Sequence, residues 1–565
     1  MKKTVYWLLL FVFIARIHGQ DLPELPAERV YLQTDKQLYL AGEVVYMKVL
    51  TVTPEKKPLS FSKIAYVELL DEENSRVQVK IELKNGIGES WMELPLDLPT
   101  GHYRLATYTR FMRNEGEAVF FEKNIAVVNT FRTNQIRKEQ PTEVSLRTPE
   151  IHHSQTCSVQ LNKSLYTNRE KGILKLEGLP EDVHTLSVSI AGKSPVSVDG
   201  TNDIRQWETQ IPAVSDTFSG KFLPEYESHI ISGKIVPVKI LSAGTLDDLL
   251  VPILSFTGEK IYLFEGQKDK LNNVLFYTTN TAGVREMSTT AYNETGNIFR
   301  IDLQSPFVEQ HAKKQLPVMG IDSAHFEHLA ERTVALQALY SYTKDTIMRN
   351  RPDDFRFNMK PDKTYILDEW TRFVVMSELM IECISELSFR RNNQQKWELW
   401  LAKKTGTGIN DFAWSRPLVV LDGIPVLDHD MMYHYNPLLV ERINIYTDEY
   451  IYGGMKFGGI AEFLTYKRNY PDLPTNPSTQ IVSYAGTQAS RRLYTPDYST
   501  EKNRQSRLPD FRHTLLWEPF LQTKGKSTME IPFYTSDFSG EFLVTVEGLT
   551  REGEIISGTA SFEVR

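Results

Sequence analysis

The chain has 565 residues, of which 41% are apolar and 24% charged. That balance excludes disordered, collagen-like and coiled-coil classes, and the length calls for about three to five domains rather than one core. A net charge of −8 argues against nucleic acid as a partner, because an acidic surface repels phosphate backbones.

Residues 1–20 read as a secretory signal. Lys2 and Lys3 give a positive start, Tyr6 to Ala15 an apolar stretch, and Gly19-Gln20 a small or polar end. A membrane span needs about twenty apolar residues; this run has about half, and no later segment qualifies. An exported, soluble chain with no transmembrane segment of its own is expected. Lys2, Lys3 and Arg16 are the charged residues of the signal, so its removal takes the net charge from −8 to −11. Cys157 and Cys383 read as free thiols, with a disulfide between them left open. No cysteine ends the signal, so no lipoprotein anchor is expected.

Residues 28–129 read as one β domain. It opens with Val30-Tyr31-Leu32-Gln33-Thr34-Asp35-Lys36-Gln37-Leu38-Tyr39-Leu40-Ala41-Gly42-Glu43 and an alternating strand from Val44 to Val49, and it closes with Leu98-Pro99-Thr100-Gly101-His102-Tyr103. These residues resemble the MG2 domain of the alpha-2-macroglobulin family, which implies a β-sandwich. Tyr108 to Asn114 is similar to the version common in Bacteroidetes-type exported proteins. The family's reactive thioester requires a Cys-Gly-Glu-Gln run, which neither cysteine sits in, so covalent trapping is not expected.

After a polar linker from Arg132 to Glu143, Lys163, Leu165-Tyr166 and Glu170 repeat Lys36, Leu38-Tyr39 and Glu43 at identical offsets. Residues 144–200 are therefore expected to form a second macroglobulin-like sandwich, and residues 201–229 a surface connector. A third β domain is expected at 230–308. From Ser323 the period becomes helical, with Leu329, Leu336, Leu339 and Tyr340 inward, giving a helical connector over 322–350. Asp368 is placed to cap another helix, in which Phe373, Met376, Met380, Cys383 and Leu387 form one apolar face.

Pro417 to Lys467 contains an apolar run ending in an Asp422-Gly423 turn, an alternating Glu441-Arg442-Ile443-Asn444-Ile445 strand, and Tyr452-Gly453-Gly454 followed by Gly458-Gly459-Ile460. Together they resemble the plug domain of TonB-dependent outer-membrane receptors, which implies an α/β plug-like domain over 361–468. A receptor's own barrel needs over about two hundred residues downstream, whereas about a hundred follow Lys467. A plug without its barrel is expected, with an outer-membrane β-barrel protein as partner. Ser527-Thr528-Met529-Glu530-Ile531-Pro532 with Gly540-Glu541-Phe542 repeats Ser90-Trp91-Met92-Glu93-Leu94-Pro95 with Gly101-His102-Tyr103, so 478–565 is expected to be a C-terminal β domain.

Few residues offer chemistry. His325 and His328 with Glu331 have i, i+3 spacing where a zinc hydrolase wants i, i+4, and they read as a solvated helix face. His152-His153 reads as a surface turn. Asp428-His429-Asp430 with His434 lies on a loop after the Asp-Gly turn and is the more interesting place for a divalent ion, but these read first as hydrogen-bonded loop residues. Ser60-Phe61-Ser62-Lys63 has Ser/Lys nucleophile spacing in a structural stretch, and Gly406-Thr407-Gly408 lacks a third glycine. Tyr433, Tyr435, Tyr450 and Tyr452 could grip a sugar or partner, or fill a seam.

The fold class expected is multidomain and mainly β: several macroglobulin-like β-sandwiches plus one α/β plug-like domain. No catalytic, cofactor-binding or metal residue is assigned, and no cofactor. The expected function is that of a non-catalytic binding or assembly protein of the periplasm or outer-membrane periphery. The alternatives are a metal-dependent hydrolase and a glycan- or peptide-binding accessory protein for nutrient uptake.

Overall fold

The computed structural model describes residues 26–131, 155–194, 198, 203–240, 250–257, 262–279, 283–292, 298–317, 319, 321, 323–342, 346–348, 360–404, 412–452, 455–473 and 478–565. Among the described residues strands take 48% and helices 11%, so the protein is multidomain and mainly β. The signal, the 132–143 linker, His152-His153 and Gly406-Thr407-Gly408 lie outside the described residues.

The first sandwich pairs a three-stranded sheet (Arg29–Thr34, Val44–Val52, Ile87–Glu93) with a five-stranded one in the order Leu38–Leu40, Phe121–Val128, Gly101–Thr109, Ile64–Leu70, Ser75–Glu82. The expected half-buried alternation of Val44–Val49 gives way to burial of every residue in Val44–Val52. Val45, Met47 and Val49 enter this sandwich's own core, while Val44 and Tyr46 meet Trp517 of the neighbouring sandwich. Both faces of the strand are covered, so its polar positions are buried too.

The second sandwich repeats the first strand for strand. Ser158–Leu161, Lys171–Glu177 and Thr528–Tyr534 form the three-stranded sheet. The five-stranded one runs Leu165–Tyr166, Ile555–Val564, Gly540–Thr550, Val183–Gly192, Thr514–Glu518. In each copy the shortest strand pairs in parallel with the last: Leu38 with Ala126, and Leu165 with Glu563. Residues 144–200 and 478–565, expected as two domains, thus contribute to one fold. Each part holds an incomplete set of strands, and only their union closes both sheets around a common core.

Everything between Gly192 and Thr514 is inserted into one connection of that sandwich, the one that joins Ile64–Leu70 to Ser75–Glu82 in the first copy. The inserted chain opens with a helix, Ile204–Gln210, capped by Asp203. Its Ile204 and Trp207 are buried in the first sandwich's core, so 201–229 is not merely a surface connector: an apolar pair at i, i+3 wedges against the sandwiches. Next, His229–Lys239, Val251–Phe256, Tyr262–Lys268, Asn273–Thr278, Val284–Tyr292 and Ile298–Leu303 form an antiparallel sheet that closes on itself, because Val251–Phe256 also pairs with Val284–Tyr292. Thr479–Ala485 returns from beyond Lys467 to extend it.

The helix Ser323–Tyr342 is shorter than expected and is followed by a strand, Thr346–Met348. Its Leu329 and Leu336 pack on Leu38, Leu40, Ala126 and Val128 of the first sandwich; the side chains of Leu339 and Tyr340 lie outside the described residues. Among the described residues no helix is long and apolar enough to cross a membrane.

Candidate functional site

Residues 363–465 build a five-stranded sheet in the order Lys363–Ile366, Val440–Tyr446, Ile460–Thr465, Leu418–Leu421, Ile424–Pro425. Leu418–Leu421 and Ile460–Thr465 run parallel and the other neighbours antiparallel. Period-two alternation sends Val419 and Leu421 into a core with Met376, Leu379, Met380 and Ile443. Leu418 and Val420 point the other way, onto Ile253 and Leu263 of the closed sheet. The chain therefore fills both faces with its own residues.

Local chemistry explains the turns. Asp422 and Gly423 both have positive φ, 47° and 87°, as a tight hairpin requires. The Asp422 carboxylate is buried and accepts the amides of Thr465 at 2.8 Å and Tyr470 at 2.7 Å, and the Thr465 hydroxyl at 2.5 Å. It is a clasp between strand ends. Gly453 and Gly454 lie outside the described residues. Gly458 and Gly459 are needed for close approach: a Cβ on Gly459, at φ +151°, would lie 2.3 Å from the Tyr446 carbonyl oxygen.

The helix expected from Asp368 is reduced to Met376–Glu382, and Asp368 sits in a separate short turn, Leu367–Glu369. Val374 and Val375 are β-branched and disfavour helix. Arg372 is also held outside one, donating to the carbonyls of Pro437 and Val440, both at 3.0 Å, and pairing with Asp368 at 3.3 Å.

The residues considered for metal chemistry are occupied structurally. Asp428 caps the short helix His429–Tyr433 and pairs with Lys396 at 3.1 Å. Asp430 accepts the Trp397 amide at 3.0 Å. The Nδ1 of buried His429 accepts the Leu399 amide at 3.1 Å. Burial, then the nearby Arg416 charge, pushes this imidazole down to about 3. His434 is exposed and 3.9 Å from Asp430. His328 lies tilted against Phe538, with centroids 5.4 Å apart. Among the described residues no group of three or more His, Cys, Asp or Glu side chains is placed to hold a metal ion.

Ser62 donates its hydroxyl to Glu28 at 2.6 Å, so the Ser60–Lys63 stretch is a core tie. Tyr435 is buried with its hydroxyl on the Pro471 carbonyl at 2.6 Å, and Tyr433 stacks on Trp397 at 4.2 Å. Both tyrosines fill seams. Cys157 and Cys383 are free thiols, the first buried.

Two features were not expected. A cleft of about 550 Å³ opens between this unit and the closed sheet, lined by Ile424, Val426, Leu427, Met431, Tyr470 and Leu473 among others. A strip of exposed apolar residues, Ile366, Trp370, Val374, Val375 and Ile381, runs along the turn and helix beside the sheet. Its sequence signal was the failure of Val374, Val375 and Ile381 to fit the apolar face that Met376 and Met380 define.

Comparison with known proteins bears on the first sandwich above all. Residues 29–122 match the MG2 domain family. No curated protein matches the chain. Among solved structures, Escherichia coli alpha-2-macroglobulin activated by porcine elastase is 10% identical over 95% of this chain and 44% of that one, with a TM-score of 0.23. Salmonella alpha-2-macroglobulin reacted with methylamine is 9% identical over 97% and 40%, at 0.22. Dimeric latent PorU from Porphyromonas gingivalis is 9% identical over 96% and 34%, at 0.13. The chain spans less than half of each of these structures, and TM-scores this low establish no shared arrangement. The first sandwich is thus similar to an MG2 domain, within a multidomain, mainly β chain.

Proposed function

We propose that this chain is a non-catalytic exported binding or assembly protein of the periplasm or outer-membrane periphery, of Bacteroidetes type. In it a TonB-receptor plug-like unit, 361–468, acts with an outer-membrane β-barrel partner. Residues 1–20 are its export signal and 28–129 the MG2-like sandwich. Residues 144–200 pair with the last fifty or so residues as a second macroglobulin-like sandwich, and 230–308 with Thr479–Ala485 form a third β domain.

The observation that supports this reading is the seating of the 363–465 sheet. Ile253 and Leu263 cover the face that Met376 and Met380 do not, so the unit stands complete without a barrel of its own. Both ends of the insertion join strands of the second sandwich. A partner then meets its rim rather than its faces. Crosslinking the mature protein in cell envelopes is expected to capture a β-barrel protein; recovery of monomer alone counts against the proposal. The cleft beside Tyr470 favours a second reading, a glycan- or peptide-binding accessory protein, because pockets at unit boundaries are where small ligands bind. Isothermal titration with soluble oligosaccharides and peptides separates the two.

A further inference from the structure

Large apolar side chains are exposed along the 370–381 stretch of the 363–465 unit. Trp370 is 47% exposed, Val374 68% and Ile381 79%, with Val375 beside them. Leu438 and Tyr466 continue the strip on the neighbouring loops. Arg372 reaches the carbonyls flanking Leu438, and Tyr466 donates to Asp368. An isolated exposed valine needs no explanation, but a run of this kind on one rim marks an interaction surface.

The charges interleaved with it choose the partner. Glu369, Glu378 and Glu382 are exposed along the same stretch, while Asp368 and Arg372 are paired with each other and Arg372 also holds the carbonyls of Pro437 and Val440. On the helix Met376–Glu382, Ile381 and Glu382 follow Glu378 at spacings of three and four and all three are exposed, opposite buried Met376, Leu379 and Met380, so carboxylates and an apolar group share its outward face, with exposed Val374 and Val375 just before it. Anionic lipid surfaces and nucleic acid are repelled by such a face. A second copy docking through the same strip brings carboxylates against carboxylates at an isologous contact. What remains complementary is a polypeptide segment that carries large apolar side chains flanked by Lys or Arg.

We infer that the rim formed by Trp370, Val374, Val375 and Ile381 with Glu378 and Glu382 is a docking surface for a cationic amphipathic segment of a partner protein. The inference rests on the binding role proposed above, but its test is separate, since it does not depend on the partner being a β-barrel protein.

The test titrates the full mature chain into a labelled synthetic Leu/Lys amphipathic peptide and follows anisotropy. Binding is expected to weaken about tenfold in V374D/I381D and in E378K/E382K, with the melting temperature unchanged in both. A control reversal, E501K on the exposed helix Glu501–Arg504, is expected to leave binding within about twofold. A Leu/Glu peptide is expected not to bind. The inference is overturned if the Leu/Lys peptide fails to bind, if E501K weakens binding as much as the rim variants, or if the Leu/Glu peptide binds equally. Rim-dependent binding to phosphatidylglycerol vesicles, or rim-dependent dimerisation in sedimentation, also overturns it.

Discussion

Tyr39 and Tyr166 occupy the same position in two copies of one turn. Each folds its hydroxyl back on the residue four earlier, Asp35 at 2.7 Å and Asn162 at 2.8 Å. Each of those acceptors also takes the amide eleven residues on, Tyr46 at 3.1 Å and Ile173 at 2.7 Å. Lys36 pairs with Glu43 and Lys163 with Glu170 in the same way. Burial of Glu43 is more than offset by Arg332 and Lys36, which hold its carboxyl below the usual range. The copies differ in setting: Asp35 is buried and also accepts Thr514 of the second sandwich at 2.6 Å, while Asn162 is exposed. Asp35→Ala is expected to cost about 2–3 kcal/mol because it orphans buried donors. Asn162→Ala should cost about 1 kcal/mol, since water replaces the lost acceptor. Urea denaturation of both variants checks the order, and equal costs would refute it.

The second sandwich is closed by strands from opposite ends of the insertion, so its first strands depend on its last. Deleting residues 511–565 removes Thr514–Glu518, Thr528–Tyr534, Gly540–Thr550 and Ile555–Val564, the partners of Lys171–Glu177 and Val183–Gly192. Limited proteolysis is expected to cut the truncated chain between 155 and 192, where the full chain resists. It should also loosen the first sandwich, whose core includes Leu549 and Ile555. Survival of a protected 155–192 fragment would contradict the shared fold.

The local half of this arrangement was legible in the sequence. The Lys-Leu-Tyr-Glu frame at 36–43 and 163–170 marks one turn with one set of hydrogen bonds, and the Ser90–Pro95 echo at 527–532 marks the matching edge strand of each copy. What stayed hidden was that both echoes belong to one domain: pairing of Leu176 with Met529 leaves no local period to read. Burial on two faces was hidden for the same reason, since the neighbour covering Tyr46 is Trp517. In the 361–468 unit the alternation of Leu418–Leu421 was readable. The helix was overextended because spacing alone does not register the Arg372 anchors. His429, read as a hydrogen-bonded loop residue ahead of an ion ligand, is a buried acceptor of the Leu399 amide.

Lys48 is buried between the two sandwiches, near Glu547 and under the Phe520 ring at 5.7 Å. Burial brings its ammonium down to about 7, against a weaker opposing pull from Glu547. The unfolded chain keeps the ordinary value near 10.5, so between about 7 and 10.5 it binds the extra proton and stability rises with pH. Lys48→Met removes that burial cost. It is expected to stabilise by about 1–3 kcal/mol at pH 6 and by little at pH 10. Thermal melts across this range check it; an equal gain at both pH values would exclude the titration as the cause.

His429 makes the same kind of demand at acid pH. Its imidazole is neutral in the fold and pushed down to about 3, while the unfolded residue protonates near 6.5. The stability it holds is therefore full above about 6.5 and is lost as pH falls toward 3. His429→Leu deletes the acceptor of the Leu399 amide and is expected to cost about 1–3 kcal/mol at pH 7, while flattening the acid limb. Zinc should leave the wild-type melting temperature unchanged, because Nδ1 is already engaged and Asp428 and Asp430 are tied to Lys396 and Trp397. A zinc-dependent rise that His429→Leu abolishes would restore the metal reading.

Gly458 and Gly459 let two backbones meet where the sheet joins its neighbouring hairpin. At Gly458 an added Cβ would fall 1.7 Å from the Ser415 hydroxyl oxygen and 2.1 Å from the Ser415 Cβ. At Gly459 it would meet the Tyr446 carbonyl oxygen at 2.3 Å and a Leu401 methyl at 2.4 Å, at a φ that side chains rarely adopt. The Tyr446 carbonyl belongs to a strand paired with Ile460 and cannot withdraw without opening the sheet; the Ser415 Cβ is likewise fixed to its backbone, but only Gly459 adds a φ that side chains rarely adopt. Gly459→Ala is therefore expected to cost more than Gly458→Ala, about 3 kcal/mol or more. Hydrogen exchange should show the loss concentrated in 418–465, with Gly101–Thr109 of the first sandwich still protected. If Gly459→Ala leaves exchange in Ile460–Thr465 unchanged, the close approach of these backbones is wrong.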